Sequence, residues 1–234
     1  MKQKVIDNLL ALSKNSYDKI AADFDMTRKK EIWPLIRKFT ALVPSGARIL
    51  DAGCGNGRLL EAFEQKEIDY LGIDNSAALI SLAQKNHPLH KFLKIDLIDF
   101  QTFNLTALGN KKFDYIFCLA VLQHIPSEEL RIDVLKKMSQ LLADDGTMVL
   151  SNWDLWSSRH RALVIKQIWH RIIGLNKRDF GDIIFPWKNK NGEVISDRYY
   201  HAFTKRELVK LARRAGFRNI KISREGHNYW LVLK

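Results

Sequence analysis

The chain has only two cysteines among 234 residues, too few for a disulfide framework. Cys54 and Cys118 fall in apolar segments that read as core, which suits a reducing, cytoplasmic setting. No apolar run reaches the roughly 20 residues that a bilayer-spanning helix needs. The N-terminal stretch begins with two lysines and a short apolar run. Its apolar spacing is helical and no small-residue cleavage site follows, so it reads as a helix and not as a signal peptide. No histidine–cysteine cluster has metal-ligand spacing, which leaves no metal site to assign. Repeats and low-complexity segments are missing too. The last third lacks acid: after Leu155 there are 6 Asp and Glu against 18 Lys and Arg, while residues 1–155 hold 20 of each. The whole net charge of +12 therefore lies in the last third. So one-sided a charge points to a polyanionic partner, most often nucleic acid.

What is present is a core, with 46% apolar residues, and an alternation of strands and helices. Helical periodicity covers residues 2–15 and 28–42. "ARILDA" reads as a strand and 57–66 as a helix; "DYLGID" is a strand followed by a helix from Ser76 to about Asn86. "KFLKID" and the nearly continuous apolar "KFDYIFCLAV" are strands. A helix over 127–142 begins at Pro126 and Ser127, with Glu128 and Glu129 in its first turn. "ADDGTMVLSNW" is a turn and strand. Residues 154–200 break the rhythm with aromatic and basic residues. A helix over 204–215 and the strands "FRNIKIS" and "NYWLVLK" close the chain. Apolar strands alternating with helices predict a doubly wound α/β fold, its parallel sheet covered on both faces.

In such a sheet, ligands bind at the carboxyl ends of the strands, where strand order reverses. The first strand ends at Asp51 and runs into Gly53, Gly55 and Gly57. Glycines there let a ligand approach the backbone. Their spacing is G-x-G-x-G and not the G-x-G-x-x-G that offers a helix N-terminus to a pyrophosphate. The second strand ends in Asp74, a carboxylate able to accept from both hydroxyls of a ribose. The third ends in Asp96, within reach of an adenine amino group. The site is laid out for an adenosine without a pyrophosphate.

"ILDAGCGNG", the acid in "GIDNS", the "IDL" turn and "FDYIFCLAVLQHI" together resemble the successive motifs of class I S-adenosylmethionine-dependent methyltransferases, over roughly residues 45–152. The resemblance implies a seven-stranded Rossmann-like sheet with its last strand antiparallel. It implies cofactor contacts from Asp51 and the three glycines, from Asp74 and Asn75 at the ribose, from Asp96 and Leu97 at the adenine, and from Leu119. A narrower resemblance lies outside that core. "YDKIAADFDMTRKKEIWP", "SDRYYHAFTKRELVKLARRAGF" and "REGHNYWLVLK" are similar to segments of the methyltransferases that esterify 5-carboxymethyluridine at the tRNA wobble position. That family implies tRNA as partner and, in eukaryotes, a small zinc-binding activator protein. The chain is then a single domain, 1–234: covering helices to 44, the cofactor core over 45–152, a substrate-side insertion over 153–200, and the final helix and strands from 201.

Methyl transfer from a sulfonium is an in-line displacement that demands alignment. A carboxylate acceptor is already ionised, so it needs cations and donors to position it and no general base. The candidates are Arg198, Tyr200 and His201, with His124 and Asn152 at the ends of the fourth and fifth strands. Tyr17 could face the sulfonium from a covering helix, and Arg28 the methionine carboxylate. Two other classes share the core: a methyltransferase for a small-molecule or carrier-bound carboxylate or a quinone, and a non-catalytic member that binds cofactor or RNA. Neither small-molecule acceptor accounts for the basic last third.

Overall fold

The computed structural model describes residues 1–27, 32–63, 66–99, 112–189 and 191–234. Helix α1 runs Gln3–Thr27 and α2 Pro34–Ala41, ahead of β1 (Arg48–Ala52) and a 3-10 segment, Arg58–Ala62. There follow β2 (Asp69–Asp74), α3 (Ala77–Asn86), β3 (Lys91–Lys94), β4 (Phe113–Leu119), a 3-10 turn at Leu122–His124, α4 (Glu128–Leu141) and β5 (Leu142–Trp153). The chain closes with α5 (Arg161–Ile172), β6 (Asp182–Lys188), β7 (Val194–His201), α6 (Lys205–Arg214), β8 (Ile220–Glu225) and β9 (Asn228–Leu233).

The main sheet has the order β3-β2-β1-β4-β5-β9-β8. Strands β1 to β5 pair in parallel, and β9 is antiparallel to both β5 and β8. This is the expected doubly wound sheet with its last strand reversed. The chain winds outward from β1 to β3, then returns to β4 beside β1, so the crevice opens at the carboxyl ends of those two strands. One face of the sheet packs on α4 and α6 through residues such as Ile132, Leu135, Leu208 and Leu211. The other packs on α2, α3 and the 3-10 segment through Ile36, Leu59, Ile80 and Phe117. Among the described residues no helix is long and apolar enough to cross a membrane.

Three local expectations change. The first helix does not stop at residue 15; its buried stripe Ile6, Leu9, Ser13, Ser16, Ile20 keeps alternating steps of three and four. Two serines at stripe positions hide that periodicity from an apolar count. The second helix begins only at Pro34, which suits the first helical position because it has no N–H to leave unpaired; residues 28–31 lie outside the described residues. The helix expected over 57–66 is one short 3-10 segment. Beyond it Lys66 turns back, and its ammonium donates to the carbonyls of Thr40, Ala41 and Val43 at the end of α2. The first two are among the last four carbonyls of the helix, which have no partner within its i to i−4 ladder.

The segment that broke the rhythm forms a small cap. β6 and β7 pair antiparallel as a separate two-stranded sheet, and α5 packs on it through Val164, Leu163 and Ile168. A buried polar group fastens the cap to the core. Arg131 of α4 donates to Tyr199 Oη at 3.2 Å and to the Ile125 carbonyl at 2.8 Å. Tyr199 donates to Asp182 at 2.7 Å. His201 sits between Asp182 at 2.7 Å and Glu207 of α6 at 2.8 Å. Removing one member of such a buried group typically costs about 3–5 kcal/mol, so the cap is held in one orientation.

Candidate functional site

A cavity of about 210 Å³ opens at the carboxyl ends of β1, β2 and β4, roofed by α1. The glycine loop forms its floor, with Gly53, Gly55 and Gly57 all at positive φ (80°, 55° and 80°). Each has its own reason. A Cβ on Gly53 would lie 2.3 Å from Val121 Cγ2. Val121 arrives there because Ala120, also at positive φ (57°), turns the chain sharply off β4. A Cβ on Gly57 would strike His87 and Phe92 near 3 Å, so Gly57 serves packing and does not line the cavity. Among the described residues a Cβ on Gly55 would meet only the Phe24 ring, at 3.5 Å, so this is where space is left for a ligand.

Carboxylates line one wall. Asp74 accepts from the Gly55 amide at 3.0 Å and the Ser76 amide at 2.9 Å. Burial raises its pKa, opposed by these backbone donors. Asp51 accepts from Tyr70 Oη at 2.7 Å. Burial pushes its pKa up to about 7, against the Tyr70 hydrogen bond and with help from the Asp74 charge. Asp96 completes the wall and accepts from the Ile98 amide at 3.0 Å. Such a wall repels phosphates and suits hydroxyls and an ammonium. The rest of the lining is largely apolar, with Phe24, Trp33 and Leu97 among it.

α1 is tied down over this wall by its own acids. Asp18 accepts from Ser76 Oγ at 2.6 Å, and Asp25 from Asn56 Nδ2 at 2.8 Å and Asn86 Nδ2 at 3.2 Å. The sequence reading did not single out these residues. The signal was there: Asp18 and Asp25, like Tyr17 and Phe24, are seven apart and share a helix face.

At the other end, the cap meets the cavity through a directional hydrogen-bond chain. His124 Nδ1 lies 3.2 Å from the Tyr199 carbonyl, which can only accept, so Nδ1 carries the hydrogen. Burial, helped by the Arg198 cation, pushes the His124 pKa down to about 3 against its backbone hydrogen bonds, so the ring is neutral and Nε2 accepts. Tyr17 Oη therefore donates to Nε2, at 2.9 Å. Tyr17 then accepts from Tyr200 Oη at 3.4 Å, and Tyr200 accepts from Arg198 at 3.2 Å. Arg198 is 9% exposed and lies 4.6 Å and 4.5 Å from the ring centres of Phe185 and Trp187. Its Nε has no hydrogen-bond partner, and no carboxylate pairs with it among the described residues.

The structure thus brings Tyr17, Asp51, Gly53, Gly55, Asp74, Asn75, Asp96, Leu97, Leu119, His124 and Tyr200 to one cavity. Arg198 stands directly behind Tyr200. Arg28 lies outside the described residues. His201 does not reach the cavity, since both its ring nitrogens are held by carboxylates of the Arg131 cluster. Strand parity explains this: Arg198 and Tyr200 share one face of β7, Tyr199 and His201 the other. Asn152 is also absent from the lining; it is fully buried opposite Tyr229, its amide unpartnered among the described residues. The next residue, Trp153, lines the cavity instead and stacks on Tyr200 at 5.3 Å.

The model of the methyltransferase domain family matches residues 24–222. The chain is 24% identical over 234 residues to the tRNA (carboxymethyluridine(34)-5-O)-methyltransferase of Schizosaccharomyces pombe, covering 92% of each chain. It is 28% identical over 171 residues to the protein of the same name from Saccharomyces cerevisiae, a match that covers 73% of this chain and 54% of that relative. Among solved structures, the CcbJ methyltransferase of Streptomyces caelestis superposes with a TM-score of 0.66 at 14% identity, over 93% of this chain and 96% of that one. The strand order, the glycine loop under a carboxylate wall and the match across most of the chain agree: this chain belongs to the methyltransferase domain family and is an S-adenosylmethionine-dependent methyltransferase.

Proposed function

We propose that the chain esterifies the carboxylate of 5-carboxymethyluridine at the wobble position of tRNA. The observation that carries this reading is Arg198, a buried guanidinium with unused donors and no carboxylate beside it among the described residues. A cation taken out of water is costly unless an anion joins it, and a guanidinium matches a carboxylate with paired donors. The names of the relatives and the basic last third support an acceptor carried on tRNA.

Residues on the carboxylate wall fit the cofactor. Asp74 keeps acceptor capacity after bonding the loop, available to ribose hydroxyls. Asp51 has an oxygen free of Tyr70 for the methionine ammonium, and Asp96 and Leu97 frame the adenine end. When bound, S-adenosylmethionine supplies the electrophilic methyl group. Arg198 would pair with the acceptor carboxylate, and Tyr200, which accepts from Arg198, would hold the guanidinium in place beside it. His124, neutral and committed to Tyr17, orients the phenols and takes no proton. A cytoplasmic setting belongs to the same reading, since Cys54 and Cys118 are free thiols.

Two measurements follow. The protein is incubated with labelled cofactor and bulk tRNA, with and without a small zinc-binding activator protein, and the nucleosides are analysed. Label in the methyl ester of carboxymethyluridine is expected, released by mild alkali; label on a base nitrogen or ribose oxygen overturns the reading. At saturating cofactor the rate should stay level from about pH 6 to 9, because the carboxylate is ionised throughout and His124 does not titrate there. A rise with a slope near one would instead expose a general base.

Cofactor binding itself should depend on pH through Asp51. Its folded pKa, about 7, lies above the unfolded value, so the ligand-free protein keeps a proton the unfolded chain has lost. Stability of the ligand-free protein therefore falls as pH rises from about 4 to 7. An ammonium beside Asp51 removes that penalty, so the melting-temperature gain from cofactor should be larger at pH 8 than at pH 6. Asp51→Asn should make the gain equal at both.

A further inference from the structure

α5 has two apolar faces. Leu163, Val164 and Ile168 pack into the cap. On the opposite side Ile165, Trp169, Ile172 and Ile173, spaced i, i+4, i+7 and i+8, are 41%, 60%, 59% and 62% exposed. The turn that follows adds Leu175 and Phe180, at 69% and 58%. Of the ten strongly exposed large apolar side chains among the described residues, six fall in this one segment, so they form a patch and not a scatter.

The same segment is the most one-sided in charge. From Trp156 to Arg178 there are six Lys and Arg and no acid. Arg159, Arg161, Lys166 and Lys177 make no ion pair with any described residue. Cations elsewhere in the last third are partly matched: Lys210 and Arg214 pair with Glu128, and Arg224 with Asp154. The start of the same helix packs near the proposed acceptor end of the cavity. His160, at the start of α5, packs 4.5 Å from the Phe185 ring, which stacks at 4.9 Å on cavity-lining Tyr200.

We propose that residues 161–180 form the docking surface for single-stranded RNA flanking the methyl acceptor, with Trp169 and Phe180 as stacking platforms for bases and Arg161, Lys166 and Lys177 facing phosphates. This rests on the tRNA reading above. Unmatched cations beside exposed aromatic faces are the combination that holds single strands without reading their sequence. Arg171, 5.7 Å over the Phe180 ring, stiffens one platform. A second copy of the chain is disfavoured, because two such faces would set cation against cation.

The test uses the full chain, fluorescently labelled tRNA and anisotropy titrations over a range of salt. Trp169→Ala and Phe180→Ala should each weaken tRNA binding roughly 5- to 150-fold, the range for one base–aromatic stack. The double change Arg161→Gln with Lys166→Gln should flatten the slope of log K against log salt by about 1.4, at about 0.7 per phosphate contact on a single strand. All three proteins should keep wild-type cofactor affinity, and with tRNA as substrate the loss should fall in KM. Unchanged tRNA affinity in these variants overturns the proposal. So does wild-type binding to phosphatidylserine vesicles that excess tRNA does not displace, since the patch would then be a membrane face. The two readings fail separately. A wild type that binds tRNA through this surface but esterifies no carboxymethyluridine loses the acceptor and keeps the surface. One that esterifies it while the variants bind normally loses the surface and keeps the acceptor.

Discussion

Replacing Arg198 with methionine is expected to lower kcat/KM for the tRNA acceptor roughly 30- to 5,000-fold, or about 2–5 kcal/mol, the cost of removing one partner of a buried charge pair. Cofactor affinity should stay near that of the wild type, because Arg198 lies behind Tyr200 and does not line the cofactor end. Methionine has a similar length and keeps contact with Phe185 and Trp187, so the cap should remain folded. Arg198→Lys should recover only part of the loss: the charge returns, but the flat group that packs against two rings and offers paired donors does not. Steady-state kinetics on the three proteins, with cofactor titrated separately, gives the answer. Wild-type kcat/KM in Arg198→Met would remove the guanidinium from acceptor binding.

Gly55→Val should abolish cofactor binding and leave most of the fold standing. Among the described residues the added Cβ meets only the Phe24 ring, so the valine extends into the space a ligand needs, and at φ 55° it adds about 1–2 kcal/mol of backbone strain. Gly53 should behave differently. There even alanine collides with Val121, 2.3 Å away, and must displace the loop that leaves β4. Gly53→Ala is expected to lower the melting temperature as well as cofactor affinity. Calorimetric titration and thermal melts of both variants separate the two effects. If Gly55→Val binds cofactor as the wild type does, the loop is a structural turn and the floor of the cavity has been misplaced.

The sequence made the carboxylate wall of the cavity legible because its pattern is local. A strand that ends in Asp51 and runs into three glycines, and two more strands that end in Asp74 and Asp96, each announce themselves within a few residues. A parallel sheet then gathers strand ends at one edge whatever the loops do. Even here, three glycines that look alike in sequence have three different reasons, and only the positions of Val121, Phe92 and Phe24 tell them apart. Roofing by α1 was half legible: Tyr17 showed, while Asp18 and Asp25 looked like ordinary surface acids until their partners Ser76 and Asn56 were in place.

The other end of the cavity, where the acceptor is proposed to bind, was decided by tertiary structure. "RYYH" offers four polar side chains in a row, and three of them looked equally able to hold a carboxylate. Pairing of β6 with β7 sets the pleat, and the pleat puts Tyr200 at the cavity with Arg198 behind it on the same strand face, and Tyr199 and His201 into the Arg131 cluster. That pairing is a contact between segments with irregular patterning, so no periodicity signals it. Composition alone fixed that the last third is basic. Which cations stay unmatched depends on where Glu128 and Asp154 come to lie, because an ion pair forms between chain segments that only the fold makes neighbours.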